Sequence, residues 1–312
     1  MKYAILAVFS LLFACSTAPQ RVIYFKMDTF VELTVYEKGD LSGIFENLEA
    51  FIDGWEEKYS PSGLEIYNNR SSDTLLIDDN LYEMVETSLI YGEKLDGYFD
   101  ITVRPLKDFW DIESRGDFLP DPADEGIADS LREVLSAVDY RQVRLLEDPK
   151  RIVFGNSGVK IDLGAVAKGF AVCRMKDTLH HYGYNNFIIN VGGDIFISGT
   201  NFGGKPIVAG IRDPRNPQDG VVLQSFAMTG ALFTSGNYER FRLAESGIRV
   251  HHIFDVKTGF PAGENISITV RGDCPIVADI LATGLFALPA DKIHEKVKDF
   301  EGYEVYLLSN DQ

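Results

Sequence analysis

The run from Lys160 to Ser198, KIDLGAVAKGFAVCRMKDTLHHYGYNNFIINVGGDIFIS, constrains the fold more than any other part of the chain. Val159 to Leu163 reads as a short strand ending at Gly164. From Ala165 the apolar residues Val166, Phe170, Val172, Met175 and Leu179 recur at roughly helical spacing. Gly183 stands where a helix C-terminus would close, and a second strand follows, up to the pair Gly192-Gly193. A turn that feeds a helix start leaves backbone amides unpaired and points the positive end of the helix dipole outward, which suits a phosphate. Lys168, one turn in, would add a mobile positive charge. Strand, turn, helix, strand with glycines at the joints is also ordinary α/β punctuation, so the pattern alone does not establish a phosphate site. No Gly-x4-Gly-Lys-Ser/Thr occurs and no Gly-x-Gly-x-x-Gly opens the helix, which excludes a P-loop and a dinucleotide fingerprint.

The N-terminus stands apart from that fold. Lys2 gives a positive start, and Tyr3 to Phe13 is an apolar run broken by Ser10, too short for a permanent membrane span and built like a secretory signal. The ending Leu12-Phe13-Ala14-Cys15 resembles a bacterial lipobox. Residues 1–14 are therefore expected as a lipoprotein-type signal peptide, Cys15 as the lipidated first residue, residues 15–24 as a tether and residues 25–312 as one domain. The expected location is the periplasmic or other extracytoplasmic face of a bacterial membrane. Cys173 and Cys274 lie in no Cys-x-x-Cys or Cys/His spacing and read as small core residues or as a pair. The net charge of −17 becomes −18 when Lys2 leaves with the signal, a surface that repels nucleic acid. An anionic substrate then needs a local positive device such as a metal ion.

Along the remaining chain, Arg21 to Tyr36 alternates as a strand pair or one long strand, and a helix from about Leu41 to Trp55 puts Ile44, Leu48, Phe51, Ile52 and Trp55 on one face. KYSPSGLEIYNNR reads as a polar loop with an exposed-looking Tyr59. Further helices are expected at 81–95, 127–138, 275–289 and 292–297. Strands are expected at 142–146, 151–154, 206–212, 221–228, 249–254, 266–271 and 303–308, with ALFTSGNYERF as a glycine-punctuated polar connection. The layout is α+β.

Asp279 and Thr283 are four apart and share one face of the helix that starts at Pro275. A carboxylate and a hydroxyl in so apolar a helix are costly without a partner. An oxygen-only pair suits magnesium or calcium, whereas an Asp bonded to a nearby backbone amide and a Thr bonded back to its own helix fit the spacing equally. His251 and His252, adjacent on a strand, point to opposite faces, so at most one is functional.

Taken together, Met27-Asp28-Thr29, Tyr98-Phe99-Asp100 with Pro105-Leu106, Asp162-Leu163-Gly164-Ala165-Val166-Ala167-Lys168-Gly169, Asn190-Val191-Gly192-Gly193-Asp194, Ser235-Gly236-Asn237-Tyr238, His252-Ile253-Phe254-Asp255 with Thr258-Gly259, and Ala278-Asp279-x3-Thr283 resemble the ApbE family, the FAD:protein FMN transferases. The resemblance implies a single ApbE-like domain and a magnesium-dependent enzyme that cuts FAD, releases AMP and links FMN through its phosphate to a threonine of a flavoprotein. The implied acceptor carries a Ser/Thr-Gly-Ala-Thr-type site, as in redox-pump subunits of the membrane. The implied metal ligands are the carbonyl of Ala165 and the side chains of Asp279 and Thr283. The implied FAD contacts are Met27, Tyr98, Phe99, Asp100, Asp162, Lys168 and the Ile253 region. Tyr59 is the candidate for a tyrosine stacked on FAD, in a loop one residue shorter than the usual pattern. Lys168 would stabilise developing charge and His252 would act as base toward the acceptor hydroxyl. Cys173 replaces a usual Asp and Val256 a usual Pro, both read as packing variants. The alternatives are a magnesium-dependent FAD pyrophosphatase and a flavin-binding lipoprotein without catalysis.

Overall fold

The computed structural model describes residues 18–112, 119–215, 220–263 and 265–309, so the expected signal peptide and Cys15 lie outside the described residues. The strands β1 (Gln20–Lys26) and β2 (Thr29–Val35) form an antiparallel hairpin. Its two turn residues, Met27 and Asp28, are both left-handed at φ 54° and 57°, the turn whose twist matches the flanking strands. Because β1 begins at Gln20, residues 20–24 of the expected tether are sheet: Val22 and Tyr24 pack on the core, and that burial recruits the segment.

Helix α1 (Ser42–Tyr59) buries Ile44, Leu48, Ile52, Trp55 and Tyr59, a stripe at three- and four-residue steps that carries the helix one turn beyond its expected end. The supposed polar loop contains the short helix α2 (Glu65–Asn68). There follow β3 (Thr74–Leu76), α3 (Asp79–Lys94), α4 (Arg104–Trp110), α5 (Ile127–Leu135), β4 (Val143–Leu146) and β5 (Arg151–Phe154). The central unit supplies α6 (Ala167–His181), β6 (Phe187–Val191) and β7 (Asp194–Ser198). Beyond it lie β8 (Ile207–Arg212), β9 (Val222–Met228), β10 (Gly230–Gly236), β11 (Phe241–Leu243), β12 (Arg249–His251) and β13 (Asn265–Gly272). The chain closes with α7 (Pro275–Phe286), α8 (Ala290–Lys296) and β14 (Glu304–Ser309).

A seven-stranded sheet in the order β1-β2-β6-β7-β10-β13-β14, antiparallel throughout, organises the molecule. One face carries the main core, where Leu33, Ile189, Phe233 and Ile268 of the sheet join residues of α1, α3, α6 and α7. The opposite face is covered by the β8–β9 hairpin, whose Ile207, Phe226 and Met228 pack on Ile197 and Leu232. Strand β10 was expected as a connection because its glycines and hydroxyls mask its apolar residues. Covered on both faces, it sends Ala231 and Phe233 to one core and Leu232 to the other, as a central strand must.

Residues 159–163 are not a strand. No ladder flanks them; the buried Asn68 donates its side-chain amide to the Ile161 carbonyl at 2.9 Å and accepts from the Ile161 amide at 2.8 Å, and the Asp162 amide donates to Ile101 at 2.7 Å. A primary amide presents the same donor and acceptor pair as a neighbouring strand would. Extended backbone is thus held by a side chain 93 residues away in sequence, which the local pattern could not distinguish from a strand. Replacing Asn68 by Ala leaves both polar groups of the fully buried Ile161 without partners. Asn68→Ala is expected to destabilise the fold by about 2–4 kcal/mol in urea unfolding, against about 1 kcal/mol or less if those groups recover bonds.

Candidate active site

A cleft of about 550 Å³ opens where the turns of these elements converge. Met27, Asp28 and Thr29 of the hairpin tip form one rim, with Trp55 and Tyr59 of α1, residues 98–101 and Lys107 of α4 beyond it. Residues 162–165 with Lys168, and Ser235, Arg240, His252, Asp279 and Thr283, complete the lining. Gly192 permits the rim: it is left-handed at φ +64°, and a Cβ there would lie 2.5 Å from Thr29 Oγ1. The Thr29 side chain occupies that space instead.

The start of α6 lacks a capping side chain of its own, since its N-cap residue is Val166. Asp279 caps it from α7, its Oδ2 accepting from the Gly169 amide at 2.7 Å. The Gly169 amide is one of the donors that the helix start leaves without an intrahelical partner, and the Ala165 carbonyl lies just outside the helix. Among the described residues nothing donates to that carbonyl. The two helices approach to backbone contact: a Cβ on Gly169 would meet Pro275 O at 2.8 Å, and Asp279 Cβ and Ile276 Cα at 2.9 Å.

Lys168 does not reach freely into the cleft. Its ammonium is bonded to Asp194, whose other oxygen accepts from the Thr234 amide at 2.9 Å. Burial would lower the lysine's pKa, but Asp194 and Asp279 outweigh it and hold the ammonium firmly charged. Asp279 is pushed up to about 7, first by burial and then by Asp194, against the pull of Lys168 and the Gly169 amide. Two carboxylates share one ammonium, so this end of the cleft favours an added cation. Thr283 Oγ1 lies 3.0 Å from Ser235 Oγ. The Ala165 carbonyl, the Asp279 carboxylate and the Thr283 hydroxyl line the same cleft and are hard oxygen donors of the kind that suits magnesium. Among the described residues no three His, Cys, Asp or Glu side chains cluster into a site of their own.

The paired histidines separate, although β12 ends at His251 rather than at 254 and His252 stands in the bend that follows. His251 is buried, with Nε2 bonded to the Ala262 carbonyl at 2.7 Å and its ring edge-on to Phe286. His252 faces the cleft, its Nδ1 at 3.2 Å from the Arg240 carbonyl. Burial pushes the His252 pKa down to about 3, with Lys107 adding to the effect, so the ring is neutral near pH 7. A neutral ring that donates from Nδ1 presents Nε2 as an acceptor.

Elsewhere in the cleft, Asp100 builds its turn: Oδ1 accepts from the Thr102 amide at 2.7 Å and from the Thr102 hydroxyl at 2.6 Å, and Oδ2 accepts from the Tyr140 amide at 2.8 Å. Phe99 is buried, and Tyr98 carries the Lys257 ammonium 5.3 Å from its ring centroid. Tyr59 is buried rather than exposed. Its hydroxyl donates to Asp78 at 2.8 Å and its ring stands edge-on to Trp55, which fixes the ring from behind. The Ile253 carbonyl is already taken by the Ala262 amide at 3.0 Å. Asp162 is held by Lys107 at 2.7 Å and by the Gly164 amide at 2.9 Å. Burial would raise its carboxyl, but Lys107 and that amide hold it below the usual range. Every residue proposed from the sequence, apart from Cys15, therefore lines this one cleft. Asp194 and Lys107 were missed as site residues. A carboxylate opening an otherwise apolar strand was a usable signal for Asp194; Lys107, in a short charged helix, gave none.

A protein-family model described as the ApbE family matches residues 27–307. The chain belongs to the ApbE family. It is 31% identical over 252 residues to the FAD:protein FMN transferase of Treponema pallidum, covering 76% of this chain and 68% of that protein. With the FAD:protein FMN transferase of Haemophilus influenzae it shares 28% identity over 273 residues, 84% of this chain and 77% of the relative. The crystal structure of the ApbE protein of Thermotoga maritima superposes with a TM-score of 0.84 at 28% identity, covering 94% and 95% of the two chains. The flavin transferase ApbE of Vibrio cholerae gives 0.78 at 22% identity, covering 93% and 97%, and shares the fold. The single α+β domain expected from the sequence is thus the ApbE fold.

Two expectations follow from this geometry. Gly to Ala in an exposed helix stabilises by about 1 kcal/mol, but here the added methyl collides with α7. Gly169→Ala is expected to destabilise by about 1–3 kcal/mol in chemical unfolding, and a stabilised variant would mean the helices are not in contact. His251, lowered to about 4 by burial, stays neutral in the folded chain while the unfolded chain takes up its proton near pH 6.5. Its stabilising contribution is full above about pH 6.5 and is lost as pH falls toward 4, at about 1.4 kcal/mol per pH unit. His251→Gln should flatten the acid limb of the stability curve by about one proton.

Proposed function

We propose that this chain is an FAD:protein FMN transferase that uses magnesium to move FMN from FAD to an acceptor threonine and releases AMP. Its membership of a family whose compared relatives carry that name supports the reading. The observation that carries it is that the Asp279 carboxylate, the Thr283 hydroxyl and the Ala165 carbonyl, to which nothing donates among the described residues, line one cleft.

Ala165, Asp279 and Thr283 would hold the magnesium, which when bound supplies positive charge to the diphosphate. The chain's own residues provide the rest. Lys168 and Asp194 fix the charge around Asp279, the Tyr98–Asp100 turn and the hairpin tip bound the space for the flavin, and Tyr59 presents a ring locked by Asp78 and Trp55. His252 Nε2 accepts the proton of the acceptor threonine as its oxygen bonds to the flavin-side phosphorus. The bridging phosphorus–oxygen bond breaks and AMP departs with that oxygen. The apolar run before Cys15 supports export and a lipid anchor; labelled palmitate should enter the wild-type chain and not Cys15→Ser.

Incubation with FAD, magnesium and a peptide containing Ser/Thr-Gly-Ala-Thr should increase the peptide mass by one FMN. Free FMN and AMP over an unmodified peptide would replace the transferase by a pyrophosphatase. Asp279→Ala is expected to reduce turnover at least about 100-fold while FAD binding persists in part, and unchanged turnover would remove the metal assignment.

A further inference from the structure

The function proposed above gives Lys107 no role, yet its surroundings are those of a working group. Its Nζ donates to Asp162 Oδ1 at 2.7 Å, and the same oxygen accepts from the Gly164 amide at 2.9 Å. A Cβ built on Gly164 would lie 3.4 Å from that Nζ. The ammonium therefore rests against the turn that leads into Ala165. The side chain is 16% exposed and lines the cleft, with His252 close enough to feel its charge.

An ammonium has three N–H groups. Asp162 takes one, and among the described residues no second acceptor is bonded to Lys107. The contrast with Lys168 is informative, because that ammonium stands between two carboxylates, Asp194 and Asp279, where the local balance is negative. At Lys107 one ammonium faces one carboxylate, and that carboxylate is further occupied by the Gly164 amide. In a chain of net charge −17, spare donors on a cation inside the cleft are a local device for an anion.

Resting on the flavin-dinucleotide reading, we propose that Lys107 is a phosphate-contacting residue. It keeps Asp162 against the Gly164 turn and donates its remaining N–H groups to a diphosphate oxygen on the His252 side of the cleft. The two ends of the cleft then divide the work. The Asp279 end accepts the cation, and the Lys107 end accepts substrate negative charge.

The test compares binding of FAD and of riboflavin, which has the same ring system and no phosphate, by flavin fluorescence on wild type, Lys107→Met and Lys107→Arg in the presence of magnesium. Lys107→Met should weaken FAD binding by about 10-fold or more with riboflavin affinity changed less than about 2-fold, and Lys107→Arg should stay within a few-fold of wild type. Equal losses for both flavins would reduce Lys107 to a prop for Asp162 and overturn the proposal. Should Lys107→Met not fold, acetylation of the wild-type chain decides: FAD, and not riboflavin, should shield Lys107 from reagent in peptide mass maps, and absence of shielding overturns the assignment. A wild-type chain that binds no FAD sinks the transferase reading as well, whereas FAD bound equally by wild type and Lys107→Met removes Lys107 alone.

Discussion

The hydrogen bond from the Gly169 amide to Asp279 is the interaction on which the rest of the site depends. It joins the start of one helix to the middle of another across 110 residues of sequence, and it does two things at once. It satisfies a donor that every helix start leaves open, and it holds α7 against that start. A structural cap and the placement of the α7 side chains at the cleft are thus two consequences of one contact. Gly169 is required because no side chain fits where α6 meets α7.

Electrostatics in the cleft follow from the same placement. Putting a carboxylate inside an apolar helix is costly, and the raised pKa of Asp279 expresses that cost. Lys168 offsets part of it but is itself drawn toward Asp194, so the cluster stays short of positive charge. The paired histidines divide at the end of β12 into one that packs and one that faces the cleft, and burial keeps both in the neutral form.

Much of this was legible in the sequence. The periodicity of α1, α6 and α7, the hairpin before Tyr36, and the ordered motifs from Met27 to Thr283 led to the ApbE fold and to one cleft. The errors share a cause, namely contacts that the local pattern does not encode. Residues 159–163 have strand-like composition but are tied down by the Asn68 side chain, a partner invisible to periodicity. Strand β10 looks like a loop until both of its faces are covered. Tyr59 sits in a polar stretch, and its burial depends on α1 continuing far enough to reach Asp78. Spacing also left Asp279 open between a metal ligand and an acceptor of a backbone amide. It accepts that amide through one carboxylate oxygen.

The order of the main sheet has a consequence for how the protein comes into being. Strand β2 finds its second neighbour only in β6, and β7, at the centre, finds its second neighbour only in β10, with β13 beyond it. The cap on α6 then comes from α7, near the end of the chain. A polypeptide interrupted before α7 would carry the Ala165 turn and Lys168 but neither of the oxygens that face them. The cleft therefore draws on both halves of the sequence, and its lining is complete only in a chain that includes the last long helix.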